Sequence, residues 1–131
     1  MGERTILVVD DEASWQNILS RFFGHYGYEV LTASSCAQAA ELLRLHRPDC
    51  LVLDYALADG TAEEVCRLVR LDPRLAGMPI VVFSGEPSAE ACLEGPYRAD
   101  RLFLKGETLS YLLLLVVSLL RGGPPDKPLS H

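Results

Sequence analysis

Acidic, hydroxyl and basic side chains follow four separate apolar runs in this sequence. Asp10 and Asp11 follow Leu-Val-Val, Asp54 follows Cys-Leu-Val-Leu, Ser84 follows Val-Val-Phe, and Lys105 follows Leu-Phe-Leu. If these runs are neighbouring parallel strands, their carboxyl ends meet in the crevice where open α/β sheets bind ligands. Three carboxylates, a hydroxyl and an ammonium group there predict a site for a metal ion and a phosphoryl group.

The predicted carboxylate cluster favours a divalent cation. Carboxylates that lie close together repel one another, so at least one pKa should rise and the metal-free site should be less favourable. Mg²⁺ suits a few carboxylate oxygens together with water and phosphate, whereas Zn²⁺ prefers His or Cys ligands. Since the three histidines do not fall at these strand ends, we expect Mg²⁺ held by Asp10, Asp11 and Asp54.

Each of these residues can be given a chemical role. Asp54 stands alone at its strand end, so we expect its carboxylate to be the nucleophile toward a phosphoryl donor. Asp10 and Asp11 then hold the metal ion and order its waters. Lys105 pairs with one phosphoryl oxygen, and the Ser84 hydroxyl donates a hydrogen bond to another. Any one acidic residue could instead cap the next helix, as Asp11 could, but the joint pattern favours a single site.

Alternating strand and helix patterns supply the elements that would position the site. Five short aliphatic and β-branched runs alternate with helical periodicities, which is typical of repeated βα units around a buried parallel sheet. The predicted strands are Thr5–Val9, Glu29–Ala33, Cys50–Leu53, Pro79–Phe83 and Arg101–Leu104.

The first two helical patterns carry boundary signals. The first puts five large apolar residues on one face, which are Trp15, Ile18, Leu19, Phe22 and Phe23. For Trp15 this spacing favours a core position over a ligand platform. Gly24 or Gly27 can end this helix in a left-handed conformation. The second begins with a capping-box pattern, Ser35 with Gln38, and runs to about His46.

The next two helical patterns are shorter. The third, near residues 61–71, should turn Val65, Leu68 and Val69 inward, with Pro73 and Gly77 marking the return to a strand. The fourth, near residues 88–93, is short and weak.

The last helical pattern covers residues 107–121 and is apolar on more than one side. One stripe suits a core face: Leu109, Leu112, Leu113, Val116, Val117 and Leu120. A second set consists of Tyr111, Leu114, Leu115 and Leu119. We interpret Tyr111, Leu115 and Leu119 as a protein-contact surface, although neighbouring side chains shielding them would explain the pattern equally well.

Bulk composition narrows the class of protein. The 131 residues, 49% of them hydrophobic, suit one domain with a single core. The formal charge of −6 and scattered basic residues argue against a nucleic-acid surface, so we expect a protein partner. The most apolar stretch, residues 111–120, has about half of the ~20 residues that span a bilayer, so we expect no membrane segment.

The cysteines and the chain ends complete these expectations. Cys36, Cys50, Cys66 and Cys92 match no short metal or redox spacing, so we interpret them as reduced structural thiols. The start lacks a signal-peptide pattern, so we expect a cytoplasmic protein. We expect the domain to cover residues 1–121, a flexible tail to cover residues 122–131, and no output domain.

The ordered motifs resemble the response-regulator receiver domain of two-component signalling systems over roughly residues 3–121. The resemblance implies an α/β, flavodoxin-like doubly wound (βα)5 fold whose five-stranded parallel sheet has the order 2-1-3-4-5. It also implies that Asp10 and Asp11 are the acidic pair, Asp54 the phosphorylated aspartate, Ser84 the switch hydroxyl and Lys105 the family's lysine.

The same resemblance implies how such a protein works. Mg²⁺ would also be held by the backbone carbonyl of Ala56, and phosphate would come from the phosphohistidine of a histidine kinase or a phosphotransfer protein. The domain would catalyse only its own phosphorylation and dephosphorylation, and so would not be an enzyme with a separate substrate. Phosphate on Asp54 would then switch a surface made by the fourth helix, fifth strand and fifth helix, which contacts a downstream protein or a second copy.

Three positions depart from the family's usual pattern. Leu102 replaces a switch Tyr or Phe, so we expect output through this position to be muted or rerouted unless the neighbouring Phe103 compensates. Gly106 replaces a proline that follows the lysine in a cis peptide, and we expect a trans peptide because cis is costly before a non-proline residue. Ala58 replaces a frequent proline, but Asp59-Gly60 still predicts a turn.

Three other classes of protein compete with this interpretation. A receiver-like interaction module that ignores phosphorylation fits Leu102 and Gly106, but the charged site residues oppose it. An aspartyl-phosphate hydrolase would need a second Asp two residues after the nucleophile, where Ala56 cannot transfer a proton. A flavin- or nucleotide-binding domain should offer backbone amides to phosphate in its first loop, where this chain has Asp-Asp-Glu.

Overall fold

A computed structural model of the chain describes residues 4–122. Its main sheet has five parallel strands in the order β2-β1-β3-β4-β5, which confirms the predicted fold. The strands are β1 Thr5–Val9, β2 Glu29–Ala33, β3 Cys50–Asp54, β4 Ile80–Ser84 and β5 Arg101–Leu104. The helices are α1 Ala13–His25, α2 Cys36–Leu45, α3 Ala62–Leu71, a 3₁₀ helix Pro87–Leu93 and α4 Leu109–Leu120.

The central strands β1, β3 and β4 are buried on both faces, and their residues alternate between two apolar layers. In β1, Leu7 and Val9 contact the layer that includes α2, α3 and the 3₁₀ helix. Ile6 and Val8 contact the opposite layer, which includes α1 and α4. This arrangement leaves the two ends of the strands as the places where polar side chains can gather.

The strand ends determine where the site residues lie. β3 extends one residue further than predicted, to Asp54, and β4 is shifted by one residue, from Ile80 to Ser84. Pro79 has no N–H to donate to the sheet, and its carbonyl accepts a hydrogen bond from Leu51. Asp54 and Ser84 are therefore held in the sheet itself.

Local signals set the helix ends much as expected. Gly27 has a φ of 92°, the left-handed conformation that glycine tolerates after a helix. Ser35 caps α2 through its Oγ, which accepts a hydrogen bond from Gln38 N at 3.0 Å. The Gln38 side chain instead accepts from Ser34 N, at 2.7 Å, so only one half of the predicted capping box forms.

Two side chains predicted to face the core are exposed. Ile18 is 45% exposed and Leu68 is 39% exposed. In α1 the buried residues are Leu19 and Phe23, and α3 buries Val65 and Val69. These i, i+4 pairs define the inward stripes, and Ile18 and Leu68 each lie one position away from them.

The buried stripe of α4 also differs from the predicted one. Leu112, Leu115, Val116 and Leu119 are buried, whereas Tyr111 and Leu114 are 40% and 57% exposed. The prediction of a Tyr111, Leu115 and Leu119 surface is therefore wrong at its last two positions. An almost wholly apolar helix gives the sequence little basis for choosing which side faces the sheet. Within residues 4–122, no helix combines the length and apolarity needed to span a bilayer.

All four cysteines are free thiols. Burial raises the pKa of Cys36 and Cys92 to about 11 and that of Cys50 and Cys66 to about 12. Thiols with such pKa values hold little reactive thiolate near neutral pH, which agrees with the structural role predicted for them.

Candidate functional site

Five predicted site residues meet at the carboxyl edge of the sheet. Asp10 directly follows β1, Asp54 ends β3, Ser84 ends β4, and Lys105 directly follows β5. Asp10, Asp11 and Asp54 each offer a carboxylate oxygen, and these three oxygens lie within 4.8 Å of one another. Asp10, Asp54 and Ser84 are buried while Asp11 is exposed, so the cluster opens to solvent on the Asp11 side.

The Lys105 ammonium group lies between the two buried carboxylates. Its Nζ is 3.5 Å from Asp54 Oδ1 and 3.7 Å from Asp10 Oδ2. The backbone N–H of Lys105 donates to Ser84 O at 2.8 Å, which continues the pairing of β4 with β5. Pairing of the strands therefore brings the ammonium group to the carboxylates.

Asp10 has one satisfied and one free carboxylate oxygen. Oδ1 accepts a hydrogen bond from the backbone N–H of Glu12 at 2.8 Å. Within residues 4–122, buried Oδ2 has no hydrogen-bond partner. Burial raises the pKa of Asp10, and the Glu12 N–H and Lys105 partly oppose this. An orphaned buried oxygen beside two further carboxylates fits a hard divalent cation.

Asp54 is the most strongly perturbed carboxyl group of the site. Burial, then the charge of Asp10, raises its pKa to about 6, against the lowering effect of Lys105. The ionised form is thus disfavoured until more positive charge arrives. A divalent cation bound beside Asp54 would supply that charge and favour the ionised carboxylate.

The Ser84 hydroxyl is oriented by its own loop. Its Oγ accepts a hydrogen bond from the backbone N–H of Glu86 at 2.9 Å. A serine hydroxyl carries one donor and two acceptor sites, so the hydroxyl hydrogen can be donated to a group in front of Asp54.

An open cavity of about 390 Å³ covers this edge. It is lined by Asp11, Glu12, Asp54, Tyr55, Ala56, Ser84, Gly85, Glu86 and Lys105. Ala56 lines the same cavity as Asp54, and the role of its backbone carbonyl as a metal ligand stays a prediction. Glu86 is another carboxylate in the lining. A second cavity, of about 430 Å³, lies between α3 and the segment after β4, away from the carboxylate cluster.

The loop after Asp54 is fastened at its far end. Ala56–Leu57 pairs with Gly60–Thr61 as a small antiparallel hairpin. A turn forms here as predicted, but at Ala58 and Asp59 rather than at Asp59 and Gly60. The Asp59 carboxylate accepts hydrogen bonds from Cys36 N at 2.8 Å and Ala37 N at 3.1 Å, at the start of α2. The loop that carries Ala56 is thereby tied to a neighbouring helix.

Leu102 and Phe103 of β5 face opposite layers of the core. Leu102 is half-buried against the α2 and α3 layer, and buried Phe103 packs in the α1 and α4 layer. Because neighbouring strand residues face opposite ways, Phe103 does not replace the missing ring at Leu102. The Lys105–Gly106 peptide is trans, since residues 4–122 contain no cis peptide bond.

The sequence did not reveal two contacts of the site. Asp59 lies 23 positions from Cys36, so no local spacing predicts that contact. Trp15 was interpreted only as a core residue, and it is half-buried, but its ring also lies 5.3 Å from the Lys105 ammonium group. A large aromatic residue one turn after an acidic pair was the available signal.

The fold is a doubly wound, flavodoxin-like parallel α/β sheet. Its carboxyl edge carries an acidic pair, a terminal Asp, a hydroxyl and a lysine. Residues 6–110 match the response regulator receiver domain family. The chain therefore belongs to the response regulator receiver domain family, as its motifs suggested.

Individual relatives agree with this assignment. The chain is 34% identical to the response regulator MprA of Mycobacterium leprae over 92% of its own length and 53% of that protein. It is 28% identical to the phosphate regulon transcriptional regulatory protein PhoB of Pseudomonas aeruginosa, over 72% of the chain and 42% of that protein. The chain thus spans about half the length of the curated relatives it matches.

Solved structures share the fold. The chemotaxis response regulator CheY4 of Vibrio cholerae superposes with a TM-score of 0.78 at 27% identity, covering 91% of this chain and 98% of that one. The signal receiver domain of a histidine kinase from Syntrophus aciditrophicus gives a TM-score of 0.83 at 23% identity, covering 96% of both chains. At that identity, the second comparison supports the fold alone.

Proposed function

We propose that this domain accepts a phosphoryl group on Asp54 from the phosphohistidine of a histidine kinase or a histidine phosphotransfer protein. The observation that carries the proposal is the buried Asp54 carboxylate, which shares one carboxylate cluster with Asp10 and Asp11 and lies 3.5 Å from Lys105. Membership of the receiver family supports it. We propose no turnover of a separate substrate.

The transfer uses groups that the site already holds. A carboxylate oxygen of Asp54 forms a bond to phosphorus as the phosphorus–nitrogen bond breaks, and the departing imidazole keeps the electron pair and takes up a proton. Lys105 pairs with one phosphoryl oxygen and Ser84 donates a hydrogen bond to another. Both contacts strengthen as charge spreads over the phosphoryl oxygens in the transition state.

The carboxylate cluster fits Mg²⁺. The ion would be held by Asp10, Asp11, Asp54 and the Ala56 carbonyl. Within residues 4–122 the buried Asp10 Oδ2 has no hydrogen-bond partner, so metal coordination would satisfy an oxygen that is otherwise unpaired. When bound, Mg²⁺ supplies positive charge that balances the carboxylates and the phosphoryl oxygens. This charge also favours the ionised, nucleophilic form of Asp54.

The proposed output is a change in protein contacts. Ser84 joins the site to the segment that begins the 3₁₀ helix, so a phosphoryl group that draws in the hydroxyl biases the position of that segment. The exposed large apolar side chains of α4 are Tyr111 and Leu114. The downstream protein or self-association, and the cytoplasmic location, remain predictions.

Treatment with Mg²⁺ and acetyl phosphate tests the proposal. Intact-protein mass spectrometry should show one added phosphoryl group, and peptide mapping should place it on Asp54. Asp54→Asn should abolish the adduct, whereas Glu63→Gln, at an exposed carboxylate on α3, should keep it. Wild type without an adduct, or an equal adduct in Asp54→Asn, would contradict the proposal.

A phosphorylation-independent interaction module is the second candidate function. The half-buried Leu102 favours it, because a small apolar side chain packed in the core layer offers little for a switch to reorient. In that case Asp54→Asn would bind a partner as well as wild type does, with or without phosphodonor. A partner affinity that depends on the phosphodonor only in wild type supports the first proposal.

A further inference from the structure

We infer that Trp15 is a positioning residue for the proposed phosphoryl transfer: its indole ring, together with the Phe83 ring, holds the Lys105 ammonium group in front of Asp54. The inference rests on the proposed function, since it assigns a task within that site. Trp15 does not itself line the cavity, and its ring meets the site at Lys105, so we expect it to act through Lys105.

The geometry around Lys105 carries this inference. Its Nζ lies 5.3 Å from the centroid of the Trp15 ring and 5.0 Å from that of the Phe83 ring. Both distances are within the ~6 Å over which a ring face attracts a cation. The two rings meet edge to face, 5.7 Å apart with an angle of 63° between their planes. We call this pair of rings, Trp15 from α1 and Phe83 from β4, the aromatic pair.

The aromatic pair matters because the other contacts of Lys105 restrain its side chain only weakly. The two ion pairs, at 3.5 and 3.7 Å, are longer than a charge-assisted hydrogen bond. Its backbone continues into exposed Gly106, which has no side chain to pack. The lysine side chain has a flexible four-carbon stem and loses conformational entropy when it is held in one position. Two ring faces restrict it without adding a competing charge.

The competing explanation is that Trp15 only fills the layer between α1 and the sheet, where it does pack. The two explanations differ in what they predict for the chemistry. A filler affects stability, while a positioning residue also affects the rate at which Asp54 takes up phosphate. The matched control is Phe22, another half-buried aromatic residue on α1, whose ring partners are Phe23 and Tyr26.

The first experiment compares rates of phosphorylation by acetyl phosphate at saturating Mg²⁺. Trp15→Leu should slow the reaction by roughly five- to tenfold, as loss of a partly desolvated cation–π contact would. Trp15→Phe, which keeps a ring face, should recover most of the rate. Phe22→Leu should phosphorylate like wild type although it also loses stability. Equal rates in wild type and folded Trp15→Leu would overturn the inference.

A double-mutant cycle tests whether Trp15 acts through Lys105. Lys105→Met should slow phosphorylation more than Trp15→Leu does, and adding Trp15→Leu to Lys105→Met should cause no further loss. Independent, multiplying effects would mean that Trp15 acts by some other route.

A third measurement does not depend on phosphorylation. In wild type, the ring currents of Trp15 and Phe83 should move the NMR signals of the Lys105 ε-methylene protons upfield, and Trp15→Leu should reverse part of that shift. Signals at ordinary lysine positions in wild type would overturn the inference. If wild type accepted no phosphate but showed the upfield signals, the proposed function would fail while the held ammonium group would stand.

Discussion

Opposite edges of the same sheet carry two differently bonded charge clusters. At the amino ends of β4 and β5, Arg70 and Asp100 form an ion pair of 3.0 Å. Asp100 also accepts from Ile80 N at 2.8 Å, and the Arg70 guanidinium donates to the carbonyls of Arg98, Ala76 and Met78. We call this set the Arg70 cluster. Its charges are matched by short hydrogen bonds.

The carboxyl edge of the same strands is bonded differently. There Lys105 reaches Asp54 and Asp10 only at 3.5 and 3.7 Å, and within residues 4–122 Asp10 Oδ2 lacks a hydrogen-bond partner. A buried polar atom without a partner costs free energy. We therefore expect the Arg70 cluster, whose hydrogen bonds are made, to stabilise the fold, and the carboxylate cluster, whose bonds are incomplete, to bind a ligand.

Removing the Arg70 side chain should have the largest effect on stability. Arg70→Ala removes the guanidinium donor from three carbonyls and from the Asp100 carboxylate, which keeps its bond from Ile80 N. We therefore expect the free energy of unfolding to fall by about 2–4 kcal/mol. Urea denaturation measures this change. Arg44→Ala is the matched control, because its ion pair with Glu41 is exposed on α2 and should contribute almost nothing. Similar losses of unfolding free energy in Arg70→Ala and Arg44→Ala would contradict the distinction between the Arg70 cluster and an exposed ion pair.

Neutralising Asp54, the proposed phosphoacceptor, should change stability in the opposite direction. In EDTA at about pH 8, Asp54→Asn removes a carboxylate whose pKa is raised to about 6, and we expect a gain of roughly 1–3 kcal/mol in the free energy of unfolding. The same denaturation experiment with Glu63→Gln should show little change. A loss of stability in Asp54→Asn would mean that its pairing with Lys105 outweighs the burial and repulsion.

The metal-free protein should also lose stability as the pH rises. The pKa of Asp54 is raised from 3.8 to about 6, and that of Asp10 is raised as well, so the folded state binds more protons. The stability that Asp54 and Asp10 gain from these bound protons is complete below about pH 4. It is lost as the pH rises through about 6. Unfolding in EDTA at about pH 5 and about pH 8 measures it. Mg²⁺ should restore stability at the higher pH, and Asp54→Asn should flatten the profile.

The carboxyl edge was predictable from sequence because parallel strands impose a simple rule. Each apolar run ends in a polar residue, and the fold brings those ends together. Asp10, Asp54, Ser84 and Lys105 could thus be assigned without any knowledge of distances. The Arg70 cluster had no such signal, since its partners come from loops and strand starts up to 30 positions away.

The apolar surfaces were less predictable for a different reason. Helical spacing finds a stripe only where polar residues mark the other side, and nine of the twelve α4 residues are leucine or valine. The exposed side was therefore assigned to Leu115 and Leu119, which are buried. Trp15 shows a related limit, because spacing identifies a core-facing ring but not the charged group that packs against its face.

A third carboxylate, that of Asp59, extends the comparison between the two clusters. We expect its removal to have the smallest effect on stability. Asp59 is exposed, but two backbone N–H groups at the start of α2 hold its pKa below the ordinary 3.8. A lowered pKa means that its stabilising contribution is present above about pH 4 and is lost as the pH falls below that value.

Asp59→Ala should therefore cost less stability than Arg70→Ala, because solvent screens the exposed cap. The difference from wild type should disappear on acidification, the reverse of the Asp54 profile. Urea denaturation across acidic pH measures this, with Asp72→Ala, another loop carboxylate at a helix end, as the comparison. Asp59 also anchors the loop that carries Ala56, so its removal should weaken Mg²⁺ binding while Asp72→Ala leaves that affinity unchanged. An unchanged Mg²⁺ affinity in Asp59→Ala would confine Asp59 to capping α2.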